Sequence, residues 1–439
     1  MSTGARFAAL TALERCRKDR AWSSVVLDSV LRSSDLNAKD SALAARLFAG
    51  VLQNESYLDY YIDLYCGRKL EPGVRQILRL GAYQLLLMDK IPPHAAVSET
   101  VNLCWEGKLE RAASLVNAVL RRLSASGNAL PPIPGEGSPS YLSLRYSHPL
   151  WLAERLVREY DYPFAEAFFR ANNQEAPLCI QINRLRIEPE EYLRALERME
   201  LEYSAFPELS GCVELKGGKI SDLPGFDEGL FYVQDRAARI AVEAADIREG
   251  MAVLDACAAP GGKSFAAVLE ANGRCRLISC DLHEKKLRLV NNGAERLGLR
   301  SCLETFPSDA RTYRPDWDRA FDVVLADVPC SGLGVIRKRP EIRKKTPEEL
   351  RELPQIQAAI LDNVCRYVKP GGVLLYSTCT ILREENQDQI EAFLARHPEY
   401  SCEDFQIGGI RSRDGCYTFW PQIDGTDGFF AAKLRRNKE

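Results

Sequence analysis

The sequence predicts a multidomain chain with an all-α bundle, a small α+β domain and an α/β core whose parallel sheet carries helices on both faces. Three observations predict this architecture. Apolar residues recur at helical spacing through the first 124 residues, a segment rich in Pro, Gly and Ser follows, and short apolar strands alternate with helices from about residue 251. We expect a bundle over residues 1–130, a linker over 131–147, the small domain over 148–230 and the α/β core over 231–439.

The composition is that of a globular protein, with 46% hydrophobic and 27% charged residues in a chain of 439. It excludes the disordered, collagenous and fibrous classes. No apolar run approaches the ~18 residues of a membrane span, and the first residues lack the apolar core of a secretion signal. The 14 cysteines are scattered, and a chain of this size needs no disulfides. We therefore expect a cytoplasmic protein with free thiols and no membrane segment.

The bundle is predicted from apolar periodicity, for example at Phe7, Leu10 and Leu13. Pro72-Gly73 and Pro92-Pro93 separate successive helices. Residues 1–130 contain 17 Lys and Arg against 13 Asp and Glu, whereas the whole chain has a net charge of −3. Neither value identifies a partner, although local basic patches could bind phosphate.

The small domain and the core are predicted from the order of their segments. Helical segments at about 149–174 and 189–199 flank a strand-like run at 178–183, and further short strands are expected near 212–215 and 230–233. In the core, apolar strands are expected at 253–255, 277–280, 323–327 and 373–377. Helices that begin at Lys263 and Lys285, and a third over 355–367, separate these strands, which indicates parallel pairing.

A cofactor site is predicted where the first core strand meets its helix. The segment Asp255–Ser264 is rich in small residues, which let a ligand approach the backbone and the unpaired N–H groups of the helix. Ligands of such sheets bind beyond the carboxyl ends of the strands. The segment matches neither the dinucleotide-binding pattern nor the Walker pattern. Asp281 ends the next strand, where a carboxylate either accepts hydrogen bonds from ribose hydroxyls or caps a helix.

Three long motifs resemble the signatures of S-adenosylmethionine-dependent RNA 5-methylcytosine methyltransferases, which have a Rossmann-like core. The motifs are Asp255-x-Cys-Ala-Ala-Pro-Gly-Gly-Lys263, Asp327-x-Pro-Cys-Ser-Gly-x-Gly334 and Ser377-Thr-Cys379. The resemblance spans about residues 230–436. It implies S-adenosylmethionine as the cofactor, with Asp281 at the ribose and Asp309 beside the adenine. The other cofactor-binding residues that it implies are Cys257, Ala258, Ala259, Pro260, Gly261, Gly262, Lys263 and Asp327.

The first 130 residues resemble the RNA-binding NusB family. Joined to this core, they resemble bacterial small-subunit (16S) rRNA cytosine-C5 methyltransferases. The resemblance implies 16S rRNA as the partner, either naked or in an early assembly particle. We expect a monomer. We also expect no metal, because no Cys-x2-Cys pair exists and the four histidines are scattered.

Methylation of cytosine at carbon 5 requires a thiol, because this carbon is a poor nucleophile. A thiolate that adds to carbon 6 activates carbon 5, and the site also needs a group for ring nitrogen N3 and a base for the carbon-5 proton. Cys330 and Cys379 follow two strands that end at the same edge of the predicted sheet. An arbitrary cysteine in this chain is more often a small buried hydrophobe, but each of these two lies in a motif.

The resemblance also implies the roles of these residues. Cys379 attacks carbon 6, Cys330 assists product release, and Asp327 contacts N3 and the exocyclic amine of the flipped base. In DNA cytosine-C5 methyltransferases the Pro-Cys thiol attacks instead. Lys263 either orients Asp327 or the thiolate, or it is an ordinary lysine at the start of a helix.

A basic run follows the second motif. It consists of Arg337, Lys338, Arg339, Arg343, Lys344 and Lys345, six cations within nine residues. Such a run is usually a solvated face, but its position after the catalytic loop predicts contacts with RNA phosphates. The family often has an aromatic residue at the position of Lys344. Because the target cytosine must leave any stack, we expect an unpaired loop as the substrate.

Three other functions remain open. The first is a non-catalytic RNA-binding assembly factor, against which the intact Asp327, Cys330 and Cys379 argue. The second is a tRNA cytosine-C5 methyltransferase with the same chemistry, and the helical N-terminal part favours rRNA over it only by analogy. The third is a DNA methyltransferase, which the motif Ser377-Thr378-Cys379 disfavours.

Overall fold

The computed structural model describes residues 4–19, 23–127, 129–216 and 220–438. The chain divides into two compact units. Unit 1 combines Met1–Gln174 with Ile336–Pro347, and unit 2 combines Glu175–Val335 with Glu348–Glu439. Within the described ranges, no helix is both long and apolar enough to cross a membrane. The predicted fold class is confirmed, because a helical bundle, a small sheet domain and a mixed α/β sheet are all present.

Unit 1 is built from helices whose apolar stripes face a common core. They are α1 (Ala5–Asp19), α2 (Ser23–Arg32), α3 (Ala38–Gln53), α4 (Glu55–Cys66), α5 (Pro72–Leu87), α6 (Pro93–Glu106), α7 (Ala113–Ser126), α8 (Pro139–Tyr146), α9 (Leu150–Glu159) and α10 (Tyr162–Asn172). Leu47, Leu58, Ile77 and Val116, from α3, α4, α5 and α7, are fully buried in one cluster. The periodicity that predicts the bundle is therefore the periodicity of its core.

The small domain at the start of unit 2 is an antiparallel sheet with one helix packed on it. Its elements are β1 (Leu178–Ile182), α11 (Pro189–Arg198), β2 (Tyr203–Ala205), β3 (Cys212–Leu215) and β4 (Phe231–Val233). The strand order is β2-β3-β1-β4. Tyr192 and Leu196 of α11 are buried against Ile180 and Phe231 of the sheet. This packing buries the apolar face of α11, and the charged residues of the helix lie on its other face.

The remainder of unit 2 is a mixed α/β sheet. Its elements are α12 (Arg236–Ala244), β5 (Ala252–Asp255), α13 (Gly262–Glu270), β6 (Arg276–Asp281), α14 (Glu284–Leu297), β7 (Leu303–Pro307), β8 (Phe321–Asp327), α15 (Pro347–Leu350), α16 (Leu353–Val364), β9 (Val368–Thr378), α17 (Gln387–Arg396), β10 (Tyr400–Cys402), β11 (Gln406–Ile407), β12 (Ile410–Arg411), β13 (Cys416–Phe419), α18 (Pro421–Asp424) and β14 (Phe429–Arg436). Strands β9, β8, β5, β6 and β7 pair in parallel in that order. Strand β14 pairs antiparallel with β9, β10 and β13.

Both faces of this sheet are covered. Val253 and Val323 lie in a core with residues of α12, α13 and α14, whereas Leu254 and Val324 lie in a second core with residues of α16 and α17. Neighbouring residues of a strand thus point to opposite cores, which explains the continuous apolar runs in the sequence. The carboxyl ends of the parallel strands meet at one edge, and this edge carries the candidate site.

The bounds of the two compact units differ from the expected domain ranges, and those ranges stay a prediction. The expected linker, 131–147, contains α8, which starts with Pro139 after Ser138, and the Ser138 Oγ accepts a hydrogen bond from the Tyr141 N–H at 3.2 Å. Helices α9 and α10, expected in the small domain, belong to unit 1, and so does Ile336–Pro347, expected in the core. Leu142, Leu152 and Phe168 of these helices are fully buried, so their apolar faces account for the difference.

Candidate active site

The site begins at the end of β5, where Asp255 is fully buried. Its Oδ2 accepts a hydrogen bond from the Ser264 hydroxyl at 2.7 Å, and the Ser279 hydroxyl donates to the Ser264 Oγ at 2.8 Å. Among the described residues, the other carboxylate oxygen has no hydrogen-bond partner of good geometry. Burial raises the pKa of Asp255 to about 7, since the charged form loses its hydration.

The turn after β5 is shaped by two glycines. Gly261 has a φ of 116°, and a Cβ there would stand 2.5 Å from the Phe265 ring, so no other residue fits without a shift. Gly262 starts α13, which leaves the first N–H groups of that helix without intrahelical partners. Burial and neighbouring carboxylates raise the pKa of Cys257 well above its usual value. Its thiol therefore stays protonated. It contributes to the packing of the turn and not to nucleophilic chemistry.

Two further predicted cofactor residues follow the adjacent strands β6 and β7. The Oδ1 of Asp281 accepts a hydrogen bond from the His283 N–H at 2.9 Å, and the Ser308 N–H donates to the Asp281 carbonyl at 3.1 Å. Asp309 forms an ion pair with Arg311 at 2.7 Å, and this hydrogen-bonded partner holds the pKa of Asp309 below its usual value. The Asp281 carboxylate thus accepts a local backbone hydrogen bond, and Asp309 is paired with Arg311. Neither contact prevents these carboxylates from binding a cofactor as well.

The two motif cysteines face one another at the ends of β8 and β9. The Cys330 and Cys379 sulfurs are 3.1 Å apart, and the Cys379 N–H donates to the Cys330 Sγ at 3.3 Å. The reason is the parallel register, in which Asp327 lies opposite Ser377, so both loops leave the sheet side by side. No group of three or more His, Cys, Asp or Glu side chains suited to a metal is found in the described ranges.

A lysine and a carboxylate lie beside this thiol pair. The Lys263 Nζ is 2.7 Å from the Asp327 Oδ2, and the Ser377 hydroxyl donates to the Asp327 Oδ1 at 2.8 Å. The ammonium also lies 5.0 Å from the centre of the Phe429 ring. Burial disfavours the charged amine, but the attraction of Asp327, with a smaller contribution from Cys379, raises the pKa of Lys263. The structure therefore brings Lys263, Asp327, Cys330 and Cys379 together.

Sequence reasoning missed the side chains that support the Cys330 loop. Glu385 is buried, and its Oε2 accepts hydrogen bonds from the Ser331 N–H at 2.9 Å and the Gln357 Nε2 at 2.8 Å. The Ser331 and Thr380 hydroxyl oxygens are 2.6 Å apart. Burial raises the pKa of Glu385. The run 383–386 reads as a polar surface, so no pattern in the sequence distinguishes Glu385 from its neighbours.

The two thiols differ in their chemical surroundings. The hydrogen bond to Cys379 and burial raise the pKa of Cys330 well above its usual value, with Glu385 and Asp327 adding to the effect. The charge of Cys379 is among the causes that raise the pKa of Lys263. Two thiolates in contact would repel, and the raised pKa of Cys330 favours its protonated form.

A close backbone contact fixes the loop after Cys330. A Cβ at Gly334 would lie 1.8 Å from the Gly428 carbonyl oxygen, so the two glycines touch through their backbones. The Gly334 N–H donates to the Cys379 carbonyl at 3.0 Å, and the Gly428 N–H donates to the Gly334 carbonyl at 2.9 Å. Main-chain hydrogen bonds therefore join the second and third motifs. A further one links the second motif to Gly428, which directly precedes β14.

Two arginines of the basic run, Arg337 and Arg343, are buried, and for Arg343 the structure shows the partners. Arg343 is buried in unit 1 and donates to the carbonyls of Gln53 at 2.7 Å and Tyr146 at 3.0 Å, and to the Asn173 Oδ1 at 2.8 Å. Burial lowers its pKa to about 9. The prediction that Arg343 binds phosphate is therefore wrong, because its guanidinium is used inside the unit.

The remaining cations of the run stay candidates. The Lys344 Nζ is 3.0 Å from the Glu55 carboxylate, although more than half of its side chain is exposed. The Trp151 indole N–H donates to the Lys345 carbonyl at 3.0 Å. For Arg337, Lys338, Arg339 and Lys345, phosphate binding remains a prediction.

Three family models match this chain. A model described as 16S rRNA methyltransferase RsmB/F matches residues 242–435, the NusB family matches residues 3–125, and a ferredoxin-like domain of RsmF/B-like methyltransferases matches residues 148–220. Among solved structures, that of PH0851 is 25% identical, with a TM-score of 0.83 over 99% of both chains. A methyltransferase homologue from Pyrococcus horikoshii is 25% identical, with a TM-score of 0.60, and the match covers 68% of this chain and 99% of that chain.

Curated relatives match over nearly the whole length. A probable ribosomal RNA small subunit methyltransferase B of Bacillus subtilis is 34% identical over 99% of both chains. The ribosomal RNA small subunit methyltransferase B of Klebsiella pneumoniae subsp. pneumoniae is 35% identical over 98% of both chains. With identity at this level along the full chain, and the motif residues gathered at one sheet edge, this chain belongs to the ribosomal RNA small subunit methyltransferase B family, a family of S-adenosylmethionine-dependent methyltransferases.

Proposed function

We propose that this protein methylates carbon 5 of a cytidine in 16S rRNA, through a transient covalent bond between Cys379 and carbon 6. The observation that carries the proposal is the thiol pair, Cys330 and Cys379, 3.1 Å apart beside the Lys263–Asp327 ion pair. A methyl transfer to nitrogen or oxygen needs no thiol, whereas transfer to carbon 5 of cytosine needs one thiol for attack and a second group for elimination. The names of the relatives support rRNA as the substrate.

The residues at the ends of β5 and β6 suit S-adenosylmethionine. The buried Oδ1 of Asp255 can accept a hydrogen bond, and the first N–H groups of α13, which follows the Gly261–Gly262 turn, have no intrahelical partners. The Asp281 carboxylate suits ribose hydroxyls. When bound, the cofactor supplies an electrophilic methyl group, which carbon 5 accepts as the sulfonium–methyl bond breaks.

The first protein step is nucleophilic attack. The Cys379 thiolate forms a bond to carbon 6, and the ring electrons move toward carbon 5 and N3. Asp327 lies beside this thiol, held by Lys263 and Ser377, and we assign to it the contact with N3 and the exocyclic amine. Lys263 keeps a positive charge near Cys379, which favours the thiolate.

The second protein step is elimination. After methyl transfer, the carbon-5 proton must leave before the sulfur–carbon bond can break and release Cys379. The Cys330 sulfur lies 3.1 Å from the attacking sulfur, and Glu385 anchors its loop through the Ser331 N–H. We assign Cys330 to this step. Once Cys379 is bonded to carbon 6, its charge no longer keeps Cys330 protonated, so Cys330 can lose its proton to solvent and its thiolate can then accept the carbon-5 proton while the sulfur–carbon bond breaks and returns the Cys379 thiolate.

The test is direct transfer in vitro. Purified protein is incubated with protein-free 16S rRNA, or with tRNA, and with S-adenosylmethionine carrying an isotopic label in its methyl group. We expect label in 5-methylcytidine at one position of 16S rRNA, found by nuclease digestion and mass spectrometry. Label in another nucleoside, or in tRNA only, would contradict the proposal. A Cys379→Ala protein is the control for contaminating activities.

A further inference from the structure

The thiol pair of the active site has a geometry that suits oxidation as well as methyl transfer. The Cys330 and Cys379 sulfurs are 3.1 Å apart, and both residues are partly exposed. A disulfide bond is about 2.05 Å long, so the two sulfurs need to approach by only about 1 Å. Cys179 and Cys212 provide a contrast, because their sulfurs are 3.8 Å apart and both residues are buried. An oxidant in solution can therefore reach the first pair more readily than the second.

The two loops that carry these thiols are held side by side. The Cys379 N–H donates to the Cys330 Sγ at 3.3 Å, and the Gly334 N–H donates to the Cys379 carbonyl at 3.0 Å. The Ser331 and Thr380 hydroxyl oxygens, one residue beyond each thiol, are 2.6 Å apart. Because these contacts already join the loops, closure of a disulfide calls for side-chain rotation and small main-chain shifts, not for a rearrangement of the loops.

A nearby cation favours the form of Cys379 that an oxidant attacks. The Lys263 Nζ is held 2.7 Å from the Asp327 Oδ2, and the charge of Cys379 is among the causes that raise the pKa of Lys263. The same attraction favours the Cys379 thiolate, and thiolate character together with exposure decides how readily a cysteine reacts with peroxide. A second thiol beside the oxidised one then captures it as a disulfide before irreversible oxidation.

We propose that hydrogen peroxide converts Cys330 and Cys379 to a reversible disulfide, and that this bond switches methyl transfer off. The inference rests on the proposed function, because the disulfide blocks the reaction only if these thiols carry it. A cysteine pair is then both the catalytic apparatus of the site and its redox sensor.

The oxidation proceeds in two balanced steps. The Cys379 thiolate attacks one oxygen of hydrogen peroxide, the O–O bond breaks, and Cys379 becomes a sulfenic acid while hydroxide leaves and takes up the proton that Cys379 released. The Cys330 sulfur then attacks the Cys379 sulfur, the S–O bond breaks, and the hydroxyl leaves as water with the Cys330 proton. Two thiols and one peroxide thus give one disulfide and two waters. A dithiol reductant reverses the reaction by thiol–disulfide exchange and is itself oxidised.

The bond itself is tested by mass spectrometry of the full-length protein. The protein is treated with hydrogen peroxide, its remaining thiols are alkylated, and it is digested without reductant. We expect two peptides linked through Cys330 and Cys379, and dithiothreitol should separate them. Alkylated Cys330 and Cys379 after peroxide treatment, or Cys379 oxidised to a sulfinic acid without the linked peptides, would overturn the proposal.

The order of the two steps is tested with Cys330→Ser. Without the second thiol, peroxide should leave Cys379 as a sulfenic acid, which dimedone traps, whereas the wild type should give little dimedone product because the disulfide forms instead. Equal labelling of Cys379 by dimedone in the two proteins would mean that Cys330 does not capture the sulfenic acid, and it would overturn the proposal.

The effect on the reaction is tested by methyl transfer to 16S rRNA. Peroxide should lower the rate of the wild type at least about tenfold, and dithiothreitol should restore most of it. The matched control is Cys402→Ser/Cys416→Ser, which removes two other partly exposed thiols of unit 2, on strands that both pair with β14. It should respond to peroxide like the wild type. A control that resists peroxide, or a loss of activity that dithiothreitol does not reverse, would contradict the proposal.

The linked peptides are detected without any methyl transfer, so the two proposals can fail separately. If the linked peptides form but the reduced protein transfers no methyl group to rRNA, the proposed function fails and the oxidation of the thiol pair stands. If the reduced protein methylates rRNA and peroxide gives no linked peptides, the redox switch fails and the proposed function stands.

Discussion

At the scale of single residues, the two thiols should give different products when each is replaced. Cys379→Ser should transfer no methyl group and form no covalent RNA adduct, because a serine hydroxyl ionises far less readily than a thiol. Cys330→Ser should still attack and methylate, and then stall because elimination fails. Denaturing electrophoresis with labelled RNA should show a methylated protein–RNA adduct in Cys330→Ser alone.

The control for this pair is Cys275→Ser. It replaces a thiol that directly precedes β6, at the opposite end of the strand from Asp281, and this variant should turn over normally. The double variant Cys330→Ser/Cys379→Ser should lose the adduct. An adduct on Cys330 in the Cys379→Ser protein would reverse the two roles, although it would leave the reaction class standing.

Asp255 should make the stability of the ligand-free protein fall as pH rises. Burial raises its folded-state pKa to about 7, whereas an unfolded Asp titrates near ~3.9. The folded state thus binds the proton more tightly, and stability is lost between about pH 4 and pH 7 as the buried group must ionise. The shift of about three units corresponds to ~4 kcal/mol.

The measurement is the unfolding free energy of unit 2 for the wild type and for Asp255→Asn between pH 5 and pH 8. The amide carries no charge, so the variant should gain stability relative to the wild type as pH increases. Asp316→Asn, at an exposed position, is the control with the same change of charge. A constant difference between Asp255→Asn and the wild type over this range would mean that Asp255 ionises freely in the folded protein.

At the scale of secondary-structure elements, Arg343 should act as a common cap for three helices. Its guanidinium donates to the carbonyls of Gln53, Tyr146 and Asn172, which are the last residues of α3, α8 and α10. A cation at a helix C-terminus is favourable because the helix dipole is negative there. Arg343→Leu leaves several buried acceptors unpaired and should destabilise unit 1 by about 3–5 kcal/mol.

Calorimetric unfolding distinguishes this from a surface role. Arg343→Lys keeps the charge with fewer donors and should fall between Arg343→Leu and the wild type. Lys344→Gln, next in the chain, removes an exposed ion pair and should cost less than about 1 kcal/mol. Wild-type stability in Arg343→Leu, combined with weaker RNA binding, would restore the assignment of Arg343 to phosphate contacts.

The elements themselves show why sequence reasoning succeeded in some places and failed in others. The ends of β5, β8 and β9 were predictable because continuous apolar runs stop at Asp255, Asp327 and Ser377, and parallel strands bring such ends to one edge. Helix α8 was not recognised, because the Pro, Gly and Ser that surround it read as a linker, although Ser138-Pro139 is a helix-start signal.

Buried polar residues were the harder part. Six cations within nine residues read as one solvated run, and only the three-dimensional structure separates Arg343, which is buried, from Lys344, which is exposed. Glu385 is likewise a carboxylate among other polar residues. In both cases the determinant is a set of carbonyl or amide partners distant in sequence, which periodicity and composition do not encode.

At the scale of the whole molecule, the chain enters unit 1 twice, since Ile336–Pro347 belongs to unit 1 although it lies between segments of unit 2. Pro340, Ile342 and Arg343 of this segment are buried, and the carbonyls that Arg343 uses come from residues 53–172. Removal of residues 1–174 alone would therefore leave an apolar segment and an arginine without their partners.

Two truncated proteins test this consequence. Residues 175–439 with the native segment should aggregate, because Pro340 and Ile342 become exposed. The same truncation with 336–347 replaced by a Gly/Ser linker of equal length should stay monodisperse in size-exclusion chromatography. It should also bind S-adenosylmethionine by calorimetry within about threefold of the full-length protein, since Asp255, Gly261 and Asp281 all lie in unit 2. If both truncated proteins aggregate, exposure of Pro340 and Ile342 is not the cause of the aggregation.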